Sequence, residues 1–237
     1  MTGRRLAIYY TDCDGPAQID QGDDKYLLEV LRDCHNGQVD LLLETNGGFT
    51  DATEKVVSIL RSQTSDLRVI VPKRAKSNGT LIALAAKEIV MGACSELGPI
   101  DPNIVVGPGQ VVPAQFIVQS KQPLDPIITQ AADYSIRQTQ KLATDLLKTG
   151  MMSGRLDGEI ADTVNKLSTR DVFHSHGSVI DHREARALGL NACYLAPGDR
   201  TWECLWLLRC MYEHDARRSK VTKIFESCKL SSSIRQA

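Results

Sequence analysis

The chain has 237 residues, 42% of them hydrophobic and 24% charged, with a formal net charge of −1. That length is enough for one α/β domain with a substantial core, and would also admit two. So near-neutral a balance gives no electrostatic basis for binding nucleic acid or an acidic membrane surface.

In chain order, residues 6–10 read as an apolar strand and residues 24–34 as a helix. Residues 39–44 form a second apolar strand, which runs into Thr45-Asn46-Gly47-Gly48 and a helix over 51–63. Val56, Val57 and Leu60 share one face of that helix. Two consecutive glycines permit a tight turn whose N–H groups no Cβ covers. Residues 67–71 make a third strand, followed by Lys76-Ser77-Asn78-Gly79-Thr80 and a helix over 77–86. A serine at such a junction has two uses. It can cap the helix, or it can present its hydroxyl beside orphan N–H groups that favour developing negative charge. With the Gly47-Gly48 turn on a neighbouring strand end, the second use would join a nucleophile to an oxyanion hole. Lys76 points away from Ser77 if the local chain is extended.

A fourth strand is read at 88–91, an arm or further strand at 111–119, and a long helix at 125–148 with proline in its tolerated first turn. Helices follow at 154–166 and 181–187. The alternation implies parallel strands joined by right-handed crossovers. Residues 1–200 are read as one domain and 201–237 as a helical C-terminal extension with a polar tail. Trp202, Leu205, Trp206 and Tyr212 mark its apolar side, and Arg217, Arg218, Lys220 and Lys223 a solvated face.

Seven cysteines without C-x-x-C spacing fit free thiols in a reducing cytoplasm better than a disulfide framework. Cys94 is expected to be buried. No stretch reaches the roughly 20 apolar residues of a membrane helix, and no signal-peptide run opens the chain. His174 and His176 lack a third ligand at metal spacing, so neither a metal nor a cofactor is expected.

Several blocks together resemble a known family. They are Leu42-Leu43-Glu44-Thr45-Asn46-Gly47-Gly48, Ala75-Lys76-Ser77-Asn78-Gly79-Thr80-Leu81, Glu88-Ile89-Val90-Met91-Gly92 and Ser95-Glu96-Leu97-Gly98-Pro99-Ile100-Asp101-Pro102. With His174-Ser175-His176-Gly177 and Glu184-Ala185-Arg186-Ala187-Leu188-Gly189-Leu190, they are similar to the serine dehydrogenase proteinase family. That family belongs with signal peptide peptidase A and, more distantly, Clp protease. The resemblance implies a Clp/crotonase-like α/β fold of repeated ββα and βα units around a mostly parallel sheet. It also implies a serine endopeptidase acting on extended or unfolded peptide segments, without a cofactor, as a homo-oligomer.

Carried over residue by residue, Ser77 becomes the nucleophile, the amides of Gly48 and Asn78 the oxyanion hole, and Gly47 and Gly79 substrate-binding positions. Two positions depart from the family: Asn46 stands where a proline is usual, and Asn78 where a small residue is usual. Clp proteases draw a histidine from the neighbourhood where Gly98-Pro99-Ile100-Asp101-Pro102 stands here, and none is present. Signal peptide peptidases use a lysine just before a long helix, which makes Lys121 the expected base of a Ser-Lys dyad. Such a lysine must be buried or crowded by cations to lose its proton. His174 and His176 are the other source of a base. Two alternatives keep the fold: a catalytically silent scaffold or peptide-binding protein, and a crotonase-like acyl-CoA enzyme, for which no glutamate placement argues.

Overall fold

The computed structural model describes residues 3–32, 34 and 37–235. Strand and helix alternate through β1 (Arg5–Thr11), α1 (Asp23–Leu31), β2 (Gly37–Glu44), α2 (Thr50–Gln63) and β3 (Thr64–Val71). Position 33, inside the helix expected over 24–34, lies outside the described residues. The short β4 (Arg74–Ala75) leads into α3 (Asn78–Leu84), then β5 (Glu88–Met91), β6 (Glu96–Leu97) and a hairpin of β7 (Asn103–Gly107) and β8 (Gln110–Pro113). Next come α4 (Ala114–Val118), α5 (Pro126–Thr149), α6 (Asp157–Ser168), α7 (His182–Ala187) and β9 (Ala192–Tyr194). The chain closes with α8 (Arg200–Ser219), β10 (Val221–Glu226) and β11 (Ser231–Arg235).

One seven-stranded sheet runs β11-β10-β1-β2-β3-β5-β9, with β1, β2, β3, β5 and β9 parallel and the β10–β11 edge antiparallel. Successive side chains of a strand point to opposite faces. Tyr9, Leu41, Leu43 and Val69 therefore pack on one side with Leu60, Leu81 and Leu147. Ile8, Tyr10, Leu42, Ile70 and Val90 pack on the other, under Leu205, Tyr212 and Ala216 of α8. Coverage on both faces explains why the central strands read as unbroken apolar runs.

Above the C-terminal ends of the parallel strands lies a second row of short extended segments. Ile19 bridges Gly48, Thr45 bridges Ala75, β4 pairs with β6, and Leu97 bridges Ile180. Each is the continuation of a main-sheet strand or a loop beside it, and the row brings distant stretches of chain side by side.

Three expectations need correction. Residues 111–119 are not one strand: Pro113 ends the hairpin, and Ala114 to Val118 form a helical turn that buries Ala114 and Ile117 against Ala132 of α5. Lys223, expected on a solvated face with Arg217, Arg218 and Lys220, lies in β10. Lys223 is buried there, with its ammonium on Asp20 at 2.6 Å and Asp23 at 2.7 Å. A charge in an alternating strand hides its apolar pattern when its counter-ions lie two hundred positions away. Cys94, expected inside, is exposed.

Candidate active site

Ser77 sits where β4 gives way to α3, with φ 51° and ψ −119°. That is a left-handed region that non-glycine side chains rarely occupy, and such strain persists only where the surroundings impose it. The surroundings are visible. Lys76 N donates to Thr45 O at 3.0 Å before the serine, and Thr80 Oγ1 bonds Ala75 O and Gly98 O at 2.8 Å each after it. Although Ser77 occupies the N-cap position, its side chain makes no capping hydrogen bond. The hydroxyl has no protein partner among the described residues.

The Gly47-Gly48 turn lies against this serine. Gly47 has φ 102°, and a Cβ there would come within 2.8 Å of the Ser77 Cβ. A Cβ on Gly48 would come within 2.2 Å of Ile19 O, because Ile19 N donates to Gly47 O at 2.8 Å and Phe49 N to Ile19 O at 3.0 Å. Those bonds leave the amide of Gly48 without a protein acceptor among the described residues. Asn78 N, the first amide of α3, is also without one.

Both family departures contribute to this turn. Asn46 Nδ2 donates to Cys13 O at 2.7 Å, tethering the turn where a proline would have stiffened it. Asn78 Nδ2 donates to Gly48 O at 2.5 Å, so the helix that starts at the serine also grips the glycine turn. Burial pushes the Cys13 thiol up to about 12, and it stays protonated below the turn.

A cavity of about 480 Å³ opens above these groups. Asn46, Gly47, Gly48, Ser77, Asn78 and His176 line it, with residues 15–18 on one rim and Ser135 and Thr139 of α5 on another. His176 is the one titratable side chain among its described lining residues. Its Nδ1 lies 2.8 Å from Asp101 Oδ1, and Asp101, 1% exposed, accepts from Arg170 Nε at 2.8 Å through its other oxygen. Because a carboxylate only accepts, Nδ1 carries the proton and Nε2 is the free basic nitrogen. No hydrogen bond joins Ser77 and His176 here; the two share the cavity wall.

Other expected site residues fall elsewhere. Lys121 is exposed in the segment between α4 and α5 and does not line the cavity. Gly79 is buried, its Cα against Thr45, where a Cβ would come within 2.5 Å of Cγ2. His174 turns away, with Nδ1 3.0 Å from Arg170 O. Asp101 escaped sequence reasoning, although a carboxylate between Ile100 and Pro102 in an apolar stretch is a signal that it is paired. Among the described residues no group of three His, Cys, Asp or Glu is placed to hold a metal ion, and no helix is long and apolar enough to cross a membrane.

Comparison with known proteins gives consistent results. An uncharacterized protein of Methanocaldococcus jannaschii is 31% identical over 173 residues, covering 71% of this chain and 58% of its own length. A second from that organism is 32% identical over 112 residues, 46% of this chain and 38% of its own. The chain thus spans well under two thirds of these curated relatives. Among solved structures, a mutant of ClpP1 from Listeria monocytogenes superposes with a TM-score of 0.51 at 16% identity, over 84% of this chain and 94% of that one. A mutant of the 1510-N membrane-bound stomatin-specific protease, in complex with a substrate peptide, gives 0.50 at 18% identity, over 99% and 89%. At such identities these two establish a ClpP-like fold. The description of ClpP-like SDH-type serine proteinases matches residues 17–216, and the chain belongs to that family.

Proposed function

We propose that this protein is a serine peptidase in which Ser77 is the nucleophile, His176 its general base, and the amides of Gly48 and Asn78 the oxyanion hole. The observation that carries the reading is a strained serine with an unengaged hydroxyl, sharing one cavity with an imidazole whose Nδ1 is held by a buried aspartate. His176 Nε2 takes the proton from Ser77 Oγ as Oγ adds to the peptide carbonyl. The resulting oxyanion is met by the two free amides, and one such donor is worth about 2.7–4 kcal/mol of transition-state stabilisation. The imidazolium returns the proton to the leaving amine, and water then resolves the acyl-enzyme. Asp101 orients the ring and stabilises its cationic form.

Lys121 is the competing base, and His176 is preferred because it lines the cavity whereas Lys121 is exposed outside it. The substrate is an extended peptide segment running beside the Gly47-Gly48 turn, a reading supported by the peptide complex of the fold neighbour. We take the protein to be a homo-oligomer. In support, Val105, Val111, Phe116 and Ile127 expose large apolar side chains on the arm formed by the hairpin, α4 and the start of α5. Light scattering of the purified chain tests this, and a monomer at all concentrations would refute it.

The test of mechanism is covalent labelling by a fluorophosphonate, with the adduct located by mass spectrometry. The adduct is expected on Ser77, absent in Ser77→Ala, strongly slowed in His176→Ala and unaffected in Lys121→Ala. Loss in Lys121→Ala with retention in His176→Ala would transfer the base to the lysine. No labelling of the native protein would point to a silent scaffold.

A further inference from the structure

Lys76 immediately precedes the serine, yet it does not line the cavity. Its side chain is 13% exposed and crosses to the loop that carries His176. The ammonium donates to Ser178 O at 2.9 Å, Leu97 O at 3.3 Å and Gly177 O at 3.4 Å, and pairs with Glu96 Oε2 at 3.2 Å. Gly177 and Ser178 are the two residues after His176. Gly98 leaves room for the lysine stem, since a Cβ there would come within 2.7 Å of the Lys76 Cδ. Beyond Ser178 the loop is held at Ile180, which exchanges backbone hydrogen bonds of 2.9 and 3.1 Å with Leu97.

We infer that Lys76 is a positioning residue for the base, fixing the loop so that the His176 ring stays against Asp101 and over the serine. The deduction rests on His176 being the base of the proposed peptidase. Carbonyl oxygens accept from an ammonium more strongly than from a neutral donor, and this ammonium gathers acceptors from both segments on the His176 side of the Leu97–Ile180 bridge. Nucleophile and base are then tied through adjacent backbone: Ser77 follows the lysine, and His176 precedes the carbonyls it holds. A shift of about 1 Å in such a pair can cost about a hundredfold in rate.

The decisive experiment is proton NMR of the purified chain, reading the strongly deshielded His176 Nδ1 proton shared with Asp101 and assigned by its absence from His176→Ala. Fluorophosphonate labelling of Ser77 is followed on the same samples. In Lys76→Met the resonance is expected to vanish and labelling to slow by at least about tenfold, while Lys76→Arg, which keeps a cationic donor, restores both. If Lys76→Met does not fold, Lys76→Gln, uncharged and too short to reach Ser178 O, replaces it with the same expected losses. A resonance and labelling rate unchanged without the ammonium would overturn the inference, as would absence of the resonance from the native protein. Loss of the resonance in Lys76→Met, in a protein whose Ser77 is never labelled, would instead refute the peptidase reading, and with it a base to position, while showing that the ammonium holds the His176 ring on Asp101.

Discussion

Ser77 illustrates how a single residue can record its use in its backbone. A capping serine has an extended conformation and its side chain bonds back to its helix; this one has φ 51°, and its hydroxyl has no protein partner among the described residues. The strain has a measurable counterpart. Ser77→Gly, which relieves the left-handed conformation, is expected to be more stable than Ser77→Ala by about 1 kcal/mol in urea unfolding. Equal stabilities would mean that the conformation carries no strain. The serine, the glycine pair and Asn78 were legible in the sequence because they are local: a strand end, a turn and a helix start within a few positions of one another. The His176–Asp101 pair was not, because it depends on Leu97 and Ile180 meeting across the second row of segments. Lys121 came from the resemblance rather than from its own surroundings, and those surroundings are solvent.

At the scale of elements, α8 packs the C-terminal extension onto the central sheet. Its apolar side was visible in the sequence; Arg209, on the same helix, is only 4% exposed. It grips Glu44, at the end of β2, through Nε at 2.8 Å and Nη2 at 2.7 Å. Glu44 is fully buried and stands three positions before Gly47, so the far helix fixes the strand that leads into the Gly47-Gly48 turn. Removing one partner of a buried pair strands the other's charge. Arg209→Met is therefore expected to lose about 3–5 kcal/mol, whereas Arg209→Met/Glu44→Leu should recover much of it. Urea unfolding of the four proteins of that cycle checks this, and a double variant no better than Arg209→Met would show that the pair does not act as a unit. The strand alternative for the arm at 111–119 failed because a short apolar run such as Ala114 to Val118 has too few residues to distinguish helix from strand.

Across the whole molecule, β1 and β10 converge on the segment that brackets the Gly47-Gly48 turn. Lys223 in β10 binds Asp20 and Asp23, and Tyr9 donates to the other oxygen of Asp23. Asp20 follows Ile19, the residue that brackets the Gly47-Gly48 turn. The two carboxyls respond differently. Burial raises Asp23 against the opposing pull of Lys223 and Tyr9, whereas at Asp20 the hydrogen bond from Lys223 and the amide of Gly22 outweigh burial and lower it. Removal of the ammonium in Lys223→Met leaves Asp23 buried without a cation, and its folded-state proton affinity rises further. An acid whose folded pKa lies above its unfolded value gains stability as pH falls through the folded value, because the folded state then binds more protons. Lys223→Met is thus expected to be less stable than the native chain at neutral pH, by about 3 kcal/mol or more. That deficit should shrink as the pH is lowered toward the carboxylate range. Urea unfolding of both proteins over that interval measures it. A deficit that stays constant would mean Asp23 finds another partner, and that the tail supports the turn by packing alone.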